Sequence, residues 1–232
     1  MAIEAVEFNW QRAEIMEDST TDRKLDESAI EDLFVSETLD IDKVLKELHS
    51  VGATSVRILD DKFRLALLEE AEGYAYKQEQ EVVGSAQRKV RQQVSSFTDF
   101  PKDSRCVLLR DVFENLLKER LSEVKPCPLQ APLCFNSMVL QRYEKGSIGI
   151  TPHKDGKSFI DLVCIFNIGG KGSFYVCSDR SGSNAKEIDA SAGRVTIMRA
   201  PGLFGFEDGR PFHYASDIED SRYTIGLRQK VT

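Results

Sequence analysis

Histidine is scarce in this chain. Three occur in 232 residues, so any site built on imidazoles must draw on His49, His153 and His213. Cysteine is sparse too. Cys106, Cys127, Cys134, Cys164 and Cys177 are odd in number and show no Cys-x-x-Cys spacing. That argues against a disulfide framework or a structural zinc site and for reduced thiols in a reducing compartment. Cys164 and Cys177 stand in apolar, strand-like runs and are expected to act as small buried hydrophobes. No apolar run approaches the ~20 residues needed to cross a bilayer. The first residues lack the basic start and apolar stretch of a secretory leader, so a cytoplasmic protein is expected. Positive charge is not in excess. Lys and Arg number 31 against 38 Asp and Glu, giving a net charge of -7 and a pI ≈ 5.2. The overall field that draws nucleic acid or an anionic membrane is therefore missing, leaving only a local basic stripe to serve such a partner.

What is present suits one globular core with a helical extension. The hydrophobic fraction is 41% and the charged fraction 30%, both ordinary. Residues 1–38 are acidic and rich in Asp, Glu, Ser and Thr, and are read as a loosely structured arm. A single domain is expected over 39–232, with a helical part at 39–125 and a β part at 126–232. Ile41, Val44, Leu45 and Leu48 recur at helical spacing before Gly52. A strand is predicted over 55–59. A second helix is predicted over 61–76, capped by Asp60 or Asp61, with Phe63, Leu65, Leu67, Leu68, Ala71 and Tyr74 on its face. Residues 80–98 read as strand and loop. A third helix is predicted over 103–122, with Val107, Leu108, Val112, Leu116 and Leu117 inward. From Pro126, β-branched and aromatic runs alternate with glycine-rich turns. Strands are predicted at 138–143, 159–168, 173–176, 194–198, 212–216 and 223–229, a pattern of sandwiches and barrels.

Two of the three histidines fall in the β half. His153 and Asp155 form His-x-Asp within Thr-Pro-His-Lys-Asp-Gly, and on extended backbone residues two apart share a side. His213 follows in Arg-Pro-Phe-His-Tyr. Two imidazoles and a carboxylate on one face of an ion leave other positions open, which suits non-haem Fe(II). Near the end, Arg222 and Arg228 stand six apart, with Thr224 and Gly226 between them on the same face of a strand. A buried guanidinium requires an anion and matches a carboxylate with its fork. The plainer alternative pairs these arginines with Glu219 or Asp220.

On these motifs the second half, about 136 to 230, resembles the AlkB-like branch of the Fe(II)/2-oxoglutarate-dependent dioxygenases. The helices before it are only broadly similar. The branch is marked by His-x-Asp, a distal His, and Arg-x-Asn-x-Thr-x-Arg on the last strand. Here that last motif reads Arg222-Tyr223-Thr224-Ile225-Gly226-Leu227-Arg228. Gln141-Arg142-Tyr143-Glu144-Lys145-Gly146 is similar to the family's Asn-x-Tyr-x-x-Gly. The resemblance implies an α+β fold: a double-stranded β-helix (jelly-roll) core with N-terminal helices packed on it. It implies Fe(II) on His153, Asp155 and His213, with 2-oxoglutarate as co-substrate and O2 and an organic compound as further substrates. Arg222 would pair with the far carboxylate of 2-oxoglutarate, supported by Tyr143. Arg228 would lie near the chelating end, and Gln141 where an Asn contacts the co-substrate. Thr224 and Gly226 replace the family's Asn and Thr, so those contacts differ in detail.

The reaction implied is hydroxylation or oxidative demethylation, and Asp155 argues against halogenation. Nucleobase demethylases of the closest type carry an acid two residues after the metal Asp. Lys157 stands there instead and suits an anionic group on the substrate. A small molecule, lipid or peptide substrate is therefore expected ahead of nucleic acid. AlkB-like nucleic-acid demethylation and a non-catalytic, metal-binding jelly roll are the alternatives. Arg180, Arg88, Lys89 and Arg91 read mainly as solvated charge, Phe204 and Phe206 as packing, and His49 as a residue without a catalytic role.

Overall fold

The structure, a computed structural model, describes residues 33–35, 39–85 and 88–231. The arm expected over 1–38 thus lies outside the described residues, apart from Leu33, Phe34 and Val35. Those three are tied to the body. Asp60 N donates to Leu33 O at 3.0 Å and Val35 N to Ile58 O at 2.8 Å. Buried Phe34 meets the Phe113 ring edge-on at 6.1 Å.

Among the described residues, the first half holds three helices: α1 (Ile41–Ser50), α2 (Asp61–Glu72) and α3 (Arg105–Ser122). Each starts at a side-chain cap. Asp40 accepts from Lys43 N at 3.0 Å, Asp60 from Lys62 N at 2.8 Å, and Ser104 from Val107 N at 3.2 Å. Such a cap contributes about 1 kcal/mol. α2 ends at Glu72 rather than near 76, because Gly73 closes it. Leu65, expected on its inner face, is 54% exposed, and Leu67 and Ala71 carry the burial. On α3, Leu108 is likewise exposed, while Leu109 and Phe113 enter the core.

The strands in chain order are β1 (Ala53–Arg57), β2 (Lys77–Gln78), β3 (Val82–Val83), β4 (Val90–Arg91), β5 (Ser95–Phe97), β6 (Ser137–Tyr143), β7 (Ile150–His153), β8 (Phe159–Cys177), β9 (Lys186–Ile188), β10 (Arg194–Arg199) and β11 (Phe212–Lys230). β3 and β4 pair only with each other. The remainder run β1-β10-β8-β11-β6-β5-β2, with β7 on β11 and β9 on β8. All pairings are antiparallel.

β8 and β11 were each expected as two strands, and each is continuous. Both bend in the middle, where they touch. Gly170 adopts φ +77°, and a Cβ there would lie 2.0 Å from Ser221 O. Asp217 adopts φ 52°, and the β8–β11 register shifts between Ser216 and Tyr223. Partners change across the bend. The first part of β8 pairs with β10 and its last part with β9. The first part of β11 pairs with β7 and its last part with β6. Two long strands thus pass from one sheet to the other, which makes the double-stranded β-helix of a jelly roll.

Strand alternation then sorts the side chains. On β8, Cys164 and Phe166 join the core shared with the helices, while Val163 and Ile165 face the other cluster. On β11, Ile225 and Leu227 join the helix side, together with Leu48, Leu67, Leu109 and Phe113. Burying each such side chain is worth roughly 1.5–3 kcal/mol. The five cysteines form no disulfide; Cys164 is buried and Cys177 half-buried. No helix among the described residues is long and apolar enough to cross a membrane.

Candidate metal centre

His153 ends β7 and His213 is the second residue of β11, and the two are direct cross-strand partners. Their ring centroids lie 4.3 Å apart. Asp155 follows β7 by two residues, and its Oδ1 is 3.8 Å from His153 Nε2 and 3.6 Å from His213 Nε2. One donor atom from each of the three lies within 4.8 Å of the others. Both imidazoles are buried.

The backbone orients the rings. His153 Nδ1 lies 3.0 Å from Thr151 O, and His213 Nδ1 lies 3.3 Å from Pro211 O. A carbonyl only accepts, so each Nδ1 carries a proton and each Nε2 faces Asp155. This is the second-layer arrangement that prepares an imidazole for a metal. Burial, then the neighbouring His213, lower the His153 pKa to about 3. It is therefore a neutral donor. Burial favours a neutral Asp155, but Arg228 outweighs it and holds the carboxyl well below the usual range. Arg228 Nε donates to Asp155 Oδ2 at 3.2 Å, and its guanidinium lies over the Phe159 ring at 5.5 Å.

These residues open onto a cavity. Arg222, Thr224 and Arg228 line it from β11, and Gln141 and Tyr143 from β6. Ile150, Ile165, Phe174 and Ala215 supply an apolar wall. Register explains the neighbours: Arg222 pairs with Tyr143, and Thr224 with Gln141. Gly226 leaves room for a guanidinium, since a Cβ there would meet Arg228 Nη1 at 2.5 Å.

Arg222 is the unusual member. It is 2% exposed, and its Nε has no hydrogen-bond partner. Burial disfavours its charge and Tyr143 favours it; its guanidinium carbon lies 6.0 Å from the Tyr143 ring centroid. The acids weighed as its partners are engaged elsewhere: Glu219 with Lys171, and Asp220 with Lys145 at 3.3 Å. A buried cation without an acid is costly.

Lys157 is exposed and does not line the cavity. Phe204 and Phe206 pack on His49, at 5.3 and 5.5 Å between ring centroids, away from the three donors. Sequence reasoning missed Phe174, whose ring stacks on His213 at 5.6 Å. It also missed Arg210, which donates to the backbone carbonyl of Asp155. Only its place three residues before His213 offered a signal for Arg210.

No family model and no curated protein matches this chain. Solved structures do. One is a prolyl hydroxylase in complex with a hypoxia inducible factor peptide from Trichoplax adhaerens. It is 12% identical, with a TM-score of 0.60 over 82% of this chain and 88% of that one. HygX from Streptomyces hygroscopicus, with nickel and 2-oxoglutarate bound, is 12% identical, with a TM-score of 0.54 over 82% and 87%. OsALKBH1 is 14% identical, with a TM-score of 0.52 over 77% and 98%. At such identities the likeness shows the jelly-roll fold. Prolyl hydroxylases and OsALKBH1 match comparably, so the fold does not single out the AlkB-like branch.

Proposed function

We propose that this chain is a non-haem Fe(II)- and 2-oxoglutarate-dependent oxygenase that hydroxylates or oxidatively demethylates an organic substrate. One observation carries the reading: a convergent His-Asp-His set shares its cavity with a buried arginine that has no acid. The donor set fits a divalent ion with positions left open, and the orphaned cation fits the far carboxylate of a chelating dicarboxylate. The fold of HygX, solved with nickel and 2-oxoglutarate, supports the pairing. Bound there, Fe(II) and 2-oxoglutarate supply the oxygen activation that lets a C–H bond be oxidised, with release of succinate and CO2.

The chain's own residues do the rest. His153, Asp155 and His213 hold the ion through two Nε2 atoms and a carboxylate oxygen. Arg228 holds Asp155 in place through its second oxygen and keeps it ionised. Arg222 fixes the co-substrate's far end against the Tyr143 face, with Gln141 and Thr224 beside it. Ile150, Ile165 and Phe174 exclude water, which strengthens every charge interaction inside. A small molecule, lipid or peptide is proposed over nucleic acid, because the chain's net charge is -7.

Calorimetry on Ni(II)-loaded protein tests the assignment. 2-Oxoglutarate should bind to the wild type and not measurably to Arg222→Ala. His153→Ala should lose both the metal and succinate formation with Fe(II) and O2. Undiminished 2-oxoglutarate affinity in Arg222→Ala would remove the co-substrate assignment.

A further inference from the structure

The far side of the metal centre carries a concentration of positive charge. Lys154 stands between His153 and Asp155, and Phe212 directly precedes His213. Phe212 is one residue out of step with His213 and so faces the outer side of β11. Lys154 Nζ lies 5.0 Å from the centroid of its ring. Arg180, from the loop between β8 and β9, places its guanidinium carbon 5.7 Å from the same centroid. Lys157 and Arg210 are further charged neighbours of Lys154, and Arg88 is a charged neighbour of Arg180. The cations come from separate segments: the β3–β4 hairpin, the loop after β7, the β8–β9 loop and the approach to β11.

Among the described residues, the acids beside Lys154, Arg180 and Arg210 do not balance those three cations. Asp208 makes two 2.8 Å bonds to Arg210 and lies 4.0 Å from Lys154 Nζ. Asp179, next to Arg180 in the chain, is taken up by Ser181 and Ser183. Arg180 Nη1 is buried without a hydrogen-bond acceptor. In a chain of net charge -7, a positive excess gathered on half-exposed loops repels itself and is stabilised by an anion.

This rim adjoins a second, small cavity. It shares Asp155 and His213 with the first and is otherwise lined by Val163, Met198, Ala200, Pro211, Arg199 and Arg210. Arg199 is committed to the backbone carbonyls of Gly209, Leu48 and His49. The metal centre therefore has two sides. Arg222 commands one, and the other is an apolar recess edged by Arg210, whose partner Asp208 lies 4.0 Å from Lys154 Nζ.

We propose that Lys154 and Arg180 grip the anionic group of a small organic substrate, a phosphate or carboxylate, whose apolar part enters the recess beside Asp155 and His213. The word substrate rests on the oxygenase reading; the anion site does not. A polyanion fits less well. Nucleic acid is held through phosphate contacts spread along a backbone, whereas these cations gather around one ring.

The test is calorimetry at low salt on the full chain without metal, using phenyl phosphate, benzoate, neutral benzamide and a ten-nucleotide oligothymidylate. Phenyl phosphate or benzoate should bind, benzamide should not, and whichever anion binds tighter identifies the group. The Lys154→Gln/Arg180→Gln double variant should weaken the anion at least about tenfold, with its folding checked by thermal melting. Arg222→Leu should leave anion binding unchanged. Any of three results overturns the proposal: no anion binding, equal affinity in the double variant, or loss of binding in Arg222→Leu. Oligothymidylate bound tenfold tighter than either small anion through the same two residues would also overturn it, in favour of nucleic acid. 2-Oxoglutarate binding to the Ni(II)-loaded wild type reports separately on the oxygenase reading. Its failure beside an intact anion site would sink that reading alone.

Discussion

Replacing Arg222 with leucine sets stability against binding. The guanidinium is 2% exposed, its Nε has no partner, and the Tyr143 ring at 6.0 Å compensates it. Moving a cation from water into such a site costs several kcal/mol even after relaxation, and a ring face returns about 1 kcal/mol. Leucine removes the charge and keeps much of the apolar bulk. The metal-free variant should therefore be more stable by about 1–4 kcal/mol. At roughly 2–4 °C per kcal/mol for a chain of this size, its melting temperature should rise by about 2–16 °C. The binding side runs the other way. A carboxylate on Arg222 makes up to two charge-assisted bonds worth about 1.5–3 kcal/mol each. Their loss weakens 2-oxoglutarate by roughly a hundredfold or more. Thermal melts followed by circular dichroism, with and without Ni(II) and 2-oxoglutarate, read both effects. Ligand raises the wild-type melting temperature by mass action and should leave the variant's unmoved by 2-oxoglutarate. A variant that melts lower than the wild type, yet gains as much from 2-oxoglutarate, would refute the reasoning. It would mean that the fold itself already compensates Arg222.

Arg228→Lys keeps the charge and loses the fork that meets Asp155 Oδ2 at 3.2 Å; Ni(II) affinity should fall about 10–100-fold, and an unchanged titration would show that Asp155 needs no such support. His153 gives the metal-free protein a pH dependence. Its pKa falls from 6.5 to about 3 on folding, so between those values the unfolded chain holds a proton that the folded chain refuses. Stability should therefore drop as pH falls through that window, by up to about 1.4 kcal/mol per unit. Urea unfolding at several pH values should show a shallower slope in His153→Gln, and parallel slopes would disprove the assignment. Gly170→Ala puts a Cβ 2.0 Å from Ser221 O and 2.6 Å from Arg222 Cα at φ +77°. It should cost at least about 2 kcal/mol and weaken 2-oxoglutarate. Gly146→Ala, at φ +78° with nothing within 4 Å, should cost only the backbone strain of about 1 kcal/mol; equal losses in urea would remove the close approach as the cause.

Where strand alternation governs, the site was legible in the sequence. Arg222, Thr224 and Arg228 share the cavity face of β11, as their even spacing predicts, and Ile225 and Leu227 take the other. His153 and Asp155 also converge as expected. Lys157 does not, because alternation lapses in the loop after β7 and the side chain turns to solvent. Local pattern could not say which acid each arginine meets. Arg228 finds Asp155, 73 residues away, while Arg222 finds none. That difference is set by the pairing of β11 with β6 and by the path of the chain after β7. The Gly169–Gly172 stretch looked like a turn because glycine commonly ends strands. In the fold it lets two 19-residue strands bend across each other. The helices were legible in position but less so in facing, because periodicity does not show which rim residues, such as Leu65 and Leu108, lack a neighbour.

Charge balance inside the cavity implies that metal and co-substrate help each other bind. Its ionisable lining is Arg222, Arg228 and Asp155, with two imidazoles and the Tyr143 phenol. Burial raises the phenol's pKa and keeps it protonated. Ligation requires neutral imidazoles, so the empty cavity holds one positive charge in excess. A divalent ion enters against that excess, drawn by Asp155 and opposed by Arg222. A dicarboxylate cancels the opposition. Two unit charges interact by about 4 kcal/mol at about 4 Å and an effective dielectric of about 20, and less with distance. A coupling of roughly tenfold or more is therefore expected. By linkage, 2-oxoglutarate must raise Ni(II) affinity by the same factor that Ni(II) raises 2-oxoglutarate affinity. Arg222→Leu should bind Ni(II) more tightly than the wild type when no co-substrate is present, and its coupling should shrink to what direct chelation supplies. Calorimetric titrations in both orders decide it. Ni(II) bound no more tightly by Arg222→Leu would show that the buried guanidinium does not set the electrostatics of the centre.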